Sequence, residues 1–209
     1  MRHGLRAGGV TRWLCLLAGL WATTAFGESI PREAFQYQRE VIRQTRAVWG
    51  LDAPVAVFAA QIHQESRWRP AAKSKFASGL AQFTPDTAKW ISGAYPKELG
   101  AANPGNPAWA IQALAIYDKE LYGKVSGLTE CDRMAFALSG YNGGPGWVIK
   151  DKAIARKSGR NPEIYFGSVE LAVDSRRPEY LAENRAYPKR ILTTLQPLYV
   201  TWGRMISCT

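Results

Sequence analysis

At Thr84-Pro85 and Asn106-Pro107 a helix-capping residue is followed directly by proline at the head of a helical pattern, and this pairing constrains the fold more than any other feature. A short polar side chain accepts a hydrogen bond from an unpaired N–H of the first helical turn. Proline suits the next position because its missing N–H would have no partner there. Pro54 and Pro145 mark similar starts, before "VAVFAAQIHQESRW" and "GWVIKDKAIARKSG". Thr129 with Asp132 makes a capping-box-like opening to "ECDRMAFALSGYN". Between these marks the apolar residues recur at helical spacing, as Phe35, Val41, Ile42, Thr45 and Val48 do before Gly50. "NPAWAIQALAIYDKELYG" ends the same way at Gly123, and "RPEYLAENRAYPKRILTTLQPLYVTWG" reads as one helix to Tyr187 and a second from Pro188. The expectation is a mainly α, compact domain of about seven helices joined by short loops. "SGLAQF" and "EIYFGSVELA" leave room for one small β-hairpin.

The first 27 residues stand apart from that domain. "MRHGLRAGGVTRW" carries Arg2, Arg6 and Arg12 and no acid, "WLCLLAGLWA" is a short apolar run, and "TTAFG" supplies small residues at Ala25 and Gly27. Together these make a secretory signal over residues 1–27, too short for a comfortable membrane span, ahead of a domain over residues 28–209. The mature chain is expected in the periplasm with no membrane span of its own. Removing three arginines and no acid lowers the formal charge from +10 to +7. A basic exported protein meets anionic wall polymer or lipid more readily than nucleic acid, and no Lys/Arg stripe with interleaved aromatics argues for the latter.

Cys15 leaves with the signal, so Cys131 and Cys208 remain as a disulfide candidate or as two separate buried thiols. No Cys/His cluster has zinc spacing, and no cofactor motif is present; neither a metal nor a cofactor is expected.

The chemistry concentrates at "QIHQESRWRP". On a helix from Val55, Phe58, Ile62 and Glu65 share one face, so Glu65 is the polar end of an apolar stripe. Partial burial and the negative end of the helix both disfavour its anion, which favours a carboxyl still protonated near neutral pH. That is what a general acid requires. The plainer alternative is a helix-terminal Glu paired with Arg67 or Arg69. His63, two residues away and on another face, reads as a surface or packing residue.

"ESRWRPAAKSKFASGLAQFTPDTA" resembles the signature of the soluble lytic transglycosylase family, relatives of goose-type lysozyme. The matching residues are Glu65, Ser66, Pro70, Ser74, Gly79, Leu80, Gln82, Pro85, Thr87 and Ala88. "ALSGYNGGPG" is similar to that family's second motif at Tyr141, Asn142, Gly144 and Pro145, and "ENRAYPKRIL" to its third at Glu183 and Tyr187. Three motifs in order span roughly Pro54 to Tyr199.

The resemblance implies a lysozyme-like fold and a peptidoglycan substrate. It implies cleavage of the β-1,4 bond between N-acetylmuramic acid and N-acetylglucosamine without water, the muramic C6 hydroxyl attacking to leave a 1,6-anhydro end. One carboxyl then suffices where ordinary glycosidases need two. Glu65 would be the acid and then the base, with Ser74, Gln82, Tyr141, Asn142 and Glu183 binding substrate. Tyr141 would orient the carboxyl, and Tyr187 would pack. Glu183 reads equally as a salt-bridge partner of Arg185 or Lys189. No second acid stands beside Glu65 in a motif position; Asp86 is the nearest in sequence. Trp68, Trp90 and Trp147 are candidates for stacking on sugars or for core packing. Single-domain relatives accompany envelope-spanning secretion, conjugation or pilus machines, which makes such a machine an implied partner.

The chain departs from the family pattern at Thr84, where an apolar residue is frequent, at Ser139-Gly140 before Tyr141, and at Pro188. Two other functions compete with transglycosylation: a muramidase that hydrolyses the same bond, and a wall-binding module without turnover.

Overall fold

The computed structural model describes residues 28–208, so the expected signal at residues 1–27 lies outside the described residues. A 3₁₀ turn, Arg32–Tyr37, leads into α1 (Gln38–Trp49). There follow α2 (Val55–Ser66), α3 (Pro85–Ala94), the short α4 (Pro96–Leu99) and α5 (Pro107–Gly123). α6 (Glu130–Gly143), α7 (Pro145–Lys157) and α8 (Pro178–Lys189) complete the helices before a π turn, Arg190–Leu195, and a final 3₁₀ turn, Gln196–Tyr199. The domain is mainly α.

The caps act as the residue types require. Thr84 Oγ1 accepts from Thr87 N at 3.2 Å, and Asn106 Oδ1 accepts from Ala108 N at 2.9 Å. Thr129 and Asp132 bond reciprocally, Asp132 N to Thr129 Oγ1 at 3.1 Å and Thr129 N to Asp132 Oδ2 at 3.2 Å. Each satisfies N–H groups that a first helical turn leaves open.

α2 is the axis of the domain. Every residue from Val55 to His63 is buried, as expected of a helix wrapped on all sides. α1, the π turn and the C-terminal 3₁₀ turn pack around it, α5 packs on both α1 and α6, and α6 packs in turn on α7 and α8. The exposed end of the α2 axis is the stretch that holds Glu65.

Two expectations need correction. No hairpin forms among the described residues. "SGLAQF" contributes only isolated bridges, Lys73 to Ser78 and Ser78 to Phe83. In "EIYFGSVELA", Tyr165 and Val169 are buried four residues apart around Gly167, whose φ is +73°, so the segment coils into a 3₁₀ turn at Val169–Leu171. The second correction concerns Pro188, which lies inside α8 and does not start a new helix. An interior proline removes one helical hydrogen bond and crowds the preceding turn, and the chain widens into the π turn immediately beyond it.

Cys131 and Cys208 are joined, with S–S at 1.99 Å across 77 residues of sequence. The bond ties the C-terminal segment to the first turn of α6. Replacing both by serine is expected to cost about 2–4 kcal/mol of stability, read as a lower Tm that reductant imposes on the parent chain and not on the variant.

Candidate active site

α2 ends in two successive left-handed residues, Arg67 at φ 51° and Trp68 at φ 64°. Neither is glycine, so both sit in a region of the backbone map that costs energy and clusters at functional sites. This bend leaves Glu65 in the last helical turn and sends the chain into the loop that forms one wall of a cleft. The loop is closed by Gly79 at φ +81°, where a Cβ would lie 1.8 Å from the Pro104 carbonyl oxygen. Only glycine fits.

The cleft has a volume of about 400 Å³ and is lined by Glu65, Ser74, Gln82, Tyr141, Asn142 and Glu183, the six residues singled out from sequence. Thr84, Tyr117 and Tyr187 also line it. Glu65 is half-buried. Burial raises its pKa to about 8, a hydrogen bond from Tyr187 pulls the other way, and the nearby charge of Glu183 adds to the rise. The carboxyl is therefore largely protonated at neutral pH.

The two tyrosines exchange the parts expected of them. Tyr187, expected to pack, donates its hydroxyl to Glu65 Oε1. Tyr141, expected to orient the carboxyl, instead donates to the Ala81 carbonyl at 2.7 Å and stacks on Tyr187, the rings 7° from parallel with centroids 6.5 Å apart. Tyr141 thus supports Tyr187, and Tyr187 holds the acid. The spacing of Glu183 and Tyr187, one helical turn apart, puts both on the face of α8 that meets the cleft.

Ser74 Oγ accepts from Ala77 N at 3.0 Å and organises the loop. Gln82, itself at φ 48°, donates its amide to Ala72 O at 3.1 Å and Gly79 O at 2.8 Å. The side chain thus ties the loop together and also lines the cleft. Asn142 Oδ1 accepts from Asn184 at 3.1 Å, and its amide reaches Glu183 at 3.5 Å. Glu183 forms no ion pair with Arg185, which bonds Asp151 instead at 2.8 Å. Thr84 both caps α3 and lines the cleft, its hydroxyl donating to Thr87 Oγ1 at 2.9 Å.

Of the three tryptophans, Trp68 is fully buried and bonds Tyr199 Oη at 2.7 Å, so it packs. His63 is buried beside it, with Tyr199 Oη at 3.0 Å from Nδ1. Trp147 holds Lys150 and Arg176 against its ring, at 4.2 and 4.7 Å from the centroid. Trp90 alone of the three is exposed. Among the described residues no group of acids, histidines or cysteines is arranged to hold a metal ion.

Comparison with known proteins decides the family. The family model for the "Transglycosylase SLT domain" matches residues 42–164, more than half of the chain. The chain belongs to the SLT transglycosylase family. It is 27% identical over 153 residues to the membrane-bound lytic murein transglycosylase F of Pseudomonas fluorescens (strain Pf0-1), covering 71% of this chain and 29% of that one. The enzymes of the same name from Shewanella sediminis (strain HAW-EB3) and Saccharophagus degradans (strain 2-40 / ATCC 43961 / DSM 17024) are 33% and 34% identical, over 61% and 64% of this chain. The chain spans about a quarter of the length of these curated relatives, 25% and 26% in the latter two. Glu65 and its loop fall inside the SLT match, whereas Glu183 and Tyr187 lie beyond residue 164. Among the described residues no helix is long and apolar enough to cross a membrane.

Proposed function

We propose that this SLT-family chain is a peptidoglycan lytic transglycosylase that cleaves the MurNAc-β-1,4-GlcNAc bond without water. The observation that carries the reading is one half-buried carboxyl, Glu65, which burial pushes toward its protonated form, on a cleft of about 400 Å³. In the first half of the reaction the Glu65 proton goes to the glycosidic oxygen as the bond to the muramic C1 breaks. In the second, the muramic C6 hydroxyl bonds to C1 and gives its proton to the Glu65 carboxylate. The acid is regenerated and the product carries a 1,6-anhydro ring, so no external base or water enters the balance. Tyr187 stabilises the carboxylate between the two halves. The lytic murein transglycosylase names of the relatives support the same reading.

Glu183 gives the hydrolytic alternative its one supporting observation, because a second carboxyl lines the same cleft. Product chemistry separates the two. Mass spectrometry of sugars released from purified sacculi is expected to show anhydro-muramyl ends; reducing ends would establish a muramidase, with Glu183 the first candidate for its base.

The working site is the cell envelope, reached by export through the signal at residues 1–27. The Cys131–Cys208 bond suits an oxidising compartment. The basic chain suits an anionic polymer, and an envelope-spanning secretion, conjugation or pilus machine is the partner this reading favours.

Tyr187→Phe tests the support given to Glu65. A hydrogen bond to a charged group contributes about 1.5–3 kcal/mol, so cleavage is expected to fall by roughly 10- to 100-fold. Because that bond favours the carboxylate, its loss raises the Glu65 pKa. The alkaline limb of the pH–rate profile should therefore move to higher pH.

A further inference from the structure

Behind the cleft, on α5, lies a second carboxyl that the proposed reaction does not use. Asp118 is fully buried, and so is Gln61, one helical turn before Glu65 on α2. Gln61 Nε2 donates to Asp118 Oδ1 at 3.4 Å. The other atom of each group, Asp118 Oδ2 and Gln61 Oε1, has no hydrogen-bond partner. Both are acceptors as long as Asp118 is ionised, and two buried orphan acceptors on one pair of side chains are costly. A single proton on Asp118 Oδ2 removes the cost. It would make Oδ2 a donor for the unpartnered Oε1 and allow the pair to close an acid–amide ring with two hydrogen bonds.

The surroundings offer Asp118 no countercharge. The ionisable groups that act on it are Glu65 from α2, its neighbour Tyr117, Tyr141 from α6 and Tyr187 from α8. The buried residues of α1, α3 and α4 add none. No lysine, arginine or histidine among the described residues forms an ion pair with Asp118 or Glu65. An uncompensated buried carboxylate would also repel the anion that Glu65 becomes in mid-reaction.

We propose that Asp118 is a positioning residue, a carboxylic acid kept protonated by its pairing with Gln61, which braces the Glu65 turn of α2 and keeps a second negative charge away from it. Burial pushes the Asp118 carboxyl well above its ordinary range, in the same sense. The braced turn and the excluded charge bear on catalysis only through the role of Glu65 proposed above; the protonation state stands independently of it.

Infrared spectroscopy of the folded Glu65→Gln chain at pH 7 tests the protonation without reference to activity. A protonated-carboxyl C=O band is expected there and should vanish in Glu65→Gln/Asp118→Asn. No such band in Glu65→Gln, or a band that survives in the double variant, would overturn the proposal. Asp118→Asn in the otherwise native chain supplies the functional arm, since an amide keeps both ring hydrogen bonds. Its cleavage rate is expected within about twofold of the parent, with the alkaline limb of the pH profile unmoved. A limb displaced to lower pH would mean that a negative charge had been removed, and that Asp118 was ionised after all. Absence of cleavage in the parent chain would instead count against the proposed function and leave the infrared result standing.

Discussion

Glu65→Gln is expected to lower glycan cleavage by at least about 10³-fold and at the same time to make the fold more stable above neutral pH. The first effect follows from removing the group proposed to give a proton to the leaving oxygen and to take one back, each role contributing about 10²–10⁴-fold. The second follows from linkage. In the unfolded chain the carboxyl titrates near 4.5, and in the fold near 8. The folded state therefore holds its proton more tightly. Stability from this group is whole below pH 4.5 and is lost as pH rises toward 8, because folding then requires either a proton taken up or an anion buried. With the partial exposure of Glu65 allowed for, the loss is roughly 3 kcal/mol by pH 8. Glutamine has the same shape and does not titrate. Thermal unfolding of the two chains should agree at pH 4.5 and diverge progressively by pH 8, with the inactive variant the more stable. Equal Tm values across that range would mean that Glu65 is not held protonated, and the proposed acid would lose its physical basis. A site that stabilises the fold once its function is removed fits the usual tension between activity and stability.

The sequence reached Glu65 and the residues that line its cleft but not which hydroxyl bonds the carboxyl, and the reason is physical. Helical spacing shows which residues share a face, so an acid closing the Phe58–Ile62 stripe stands out within one element. The helix starts at Thr84, Asn106 and Thr129 were readable for the same reason, since a cap is a local hydrogen bond. Which hydroxyl meets that carboxyl depends on how α6 and α8 cross, and nothing local decides between Tyr141 and Tyr187. Trp68 stayed open between stacking and packing because its exposure depends on the left-handed bend at Arg67 and Trp68, where the indole bonds Tyr199. Asp118 was within reach. It continues the Ile111–Leu114 stripe of α5 and precedes Leu121 on the same face, as Glu65 continues the stripe of α2. An acid in an apolar stripe was the right signal and applied twice.

Asp151→Leu is expected to destabilise the domain by about 3–5 kcal/mol, the usual cost of removing one partner from a buried ion pair. Asp151 is almost fully buried on α7 and accepts from Arg176 at 2.7 Å and from Arg185 at 2.8 Å. Arg176 also bonds Asp174 at 2.8 Å and Asn184 Oδ1 at 3.2 Å. Asn184 in turn donates to Ser139 O at 2.9 Å and Asn142 Oδ1 at 3.1 Å, and accepts from Ser139 Oγ at 3.0 Å. The serine that departs from the family pattern thus joins α6 to α8, and the network runs from a buried carboxylate to the cleft wall. Without Asp151, Arg176 keeps only Asp174 and Arg185 keeps no carboxylate partner, in a nearly dry space. Because the cluster is shielded from solvent, added salt should not restore what is lost. Thermal unfolding is expected to move down by on the order of 10 °C for a domain of this size. Residual cleavage, measured well below the new Tm, should fall as well, since α8 carries both Glu183 and Tyr187 and its seat on α6 sets where the Tyr187 hydroxyl meets Glu65. Asp151→Leu combined with Arg185→Leu should recover part of the stability, because it removes one of the stranded charges together with the acid that held it. Recovery of stability without recovery of cleavage would separate the two duties of the network, holding α8 in place and aiming its tyrosine.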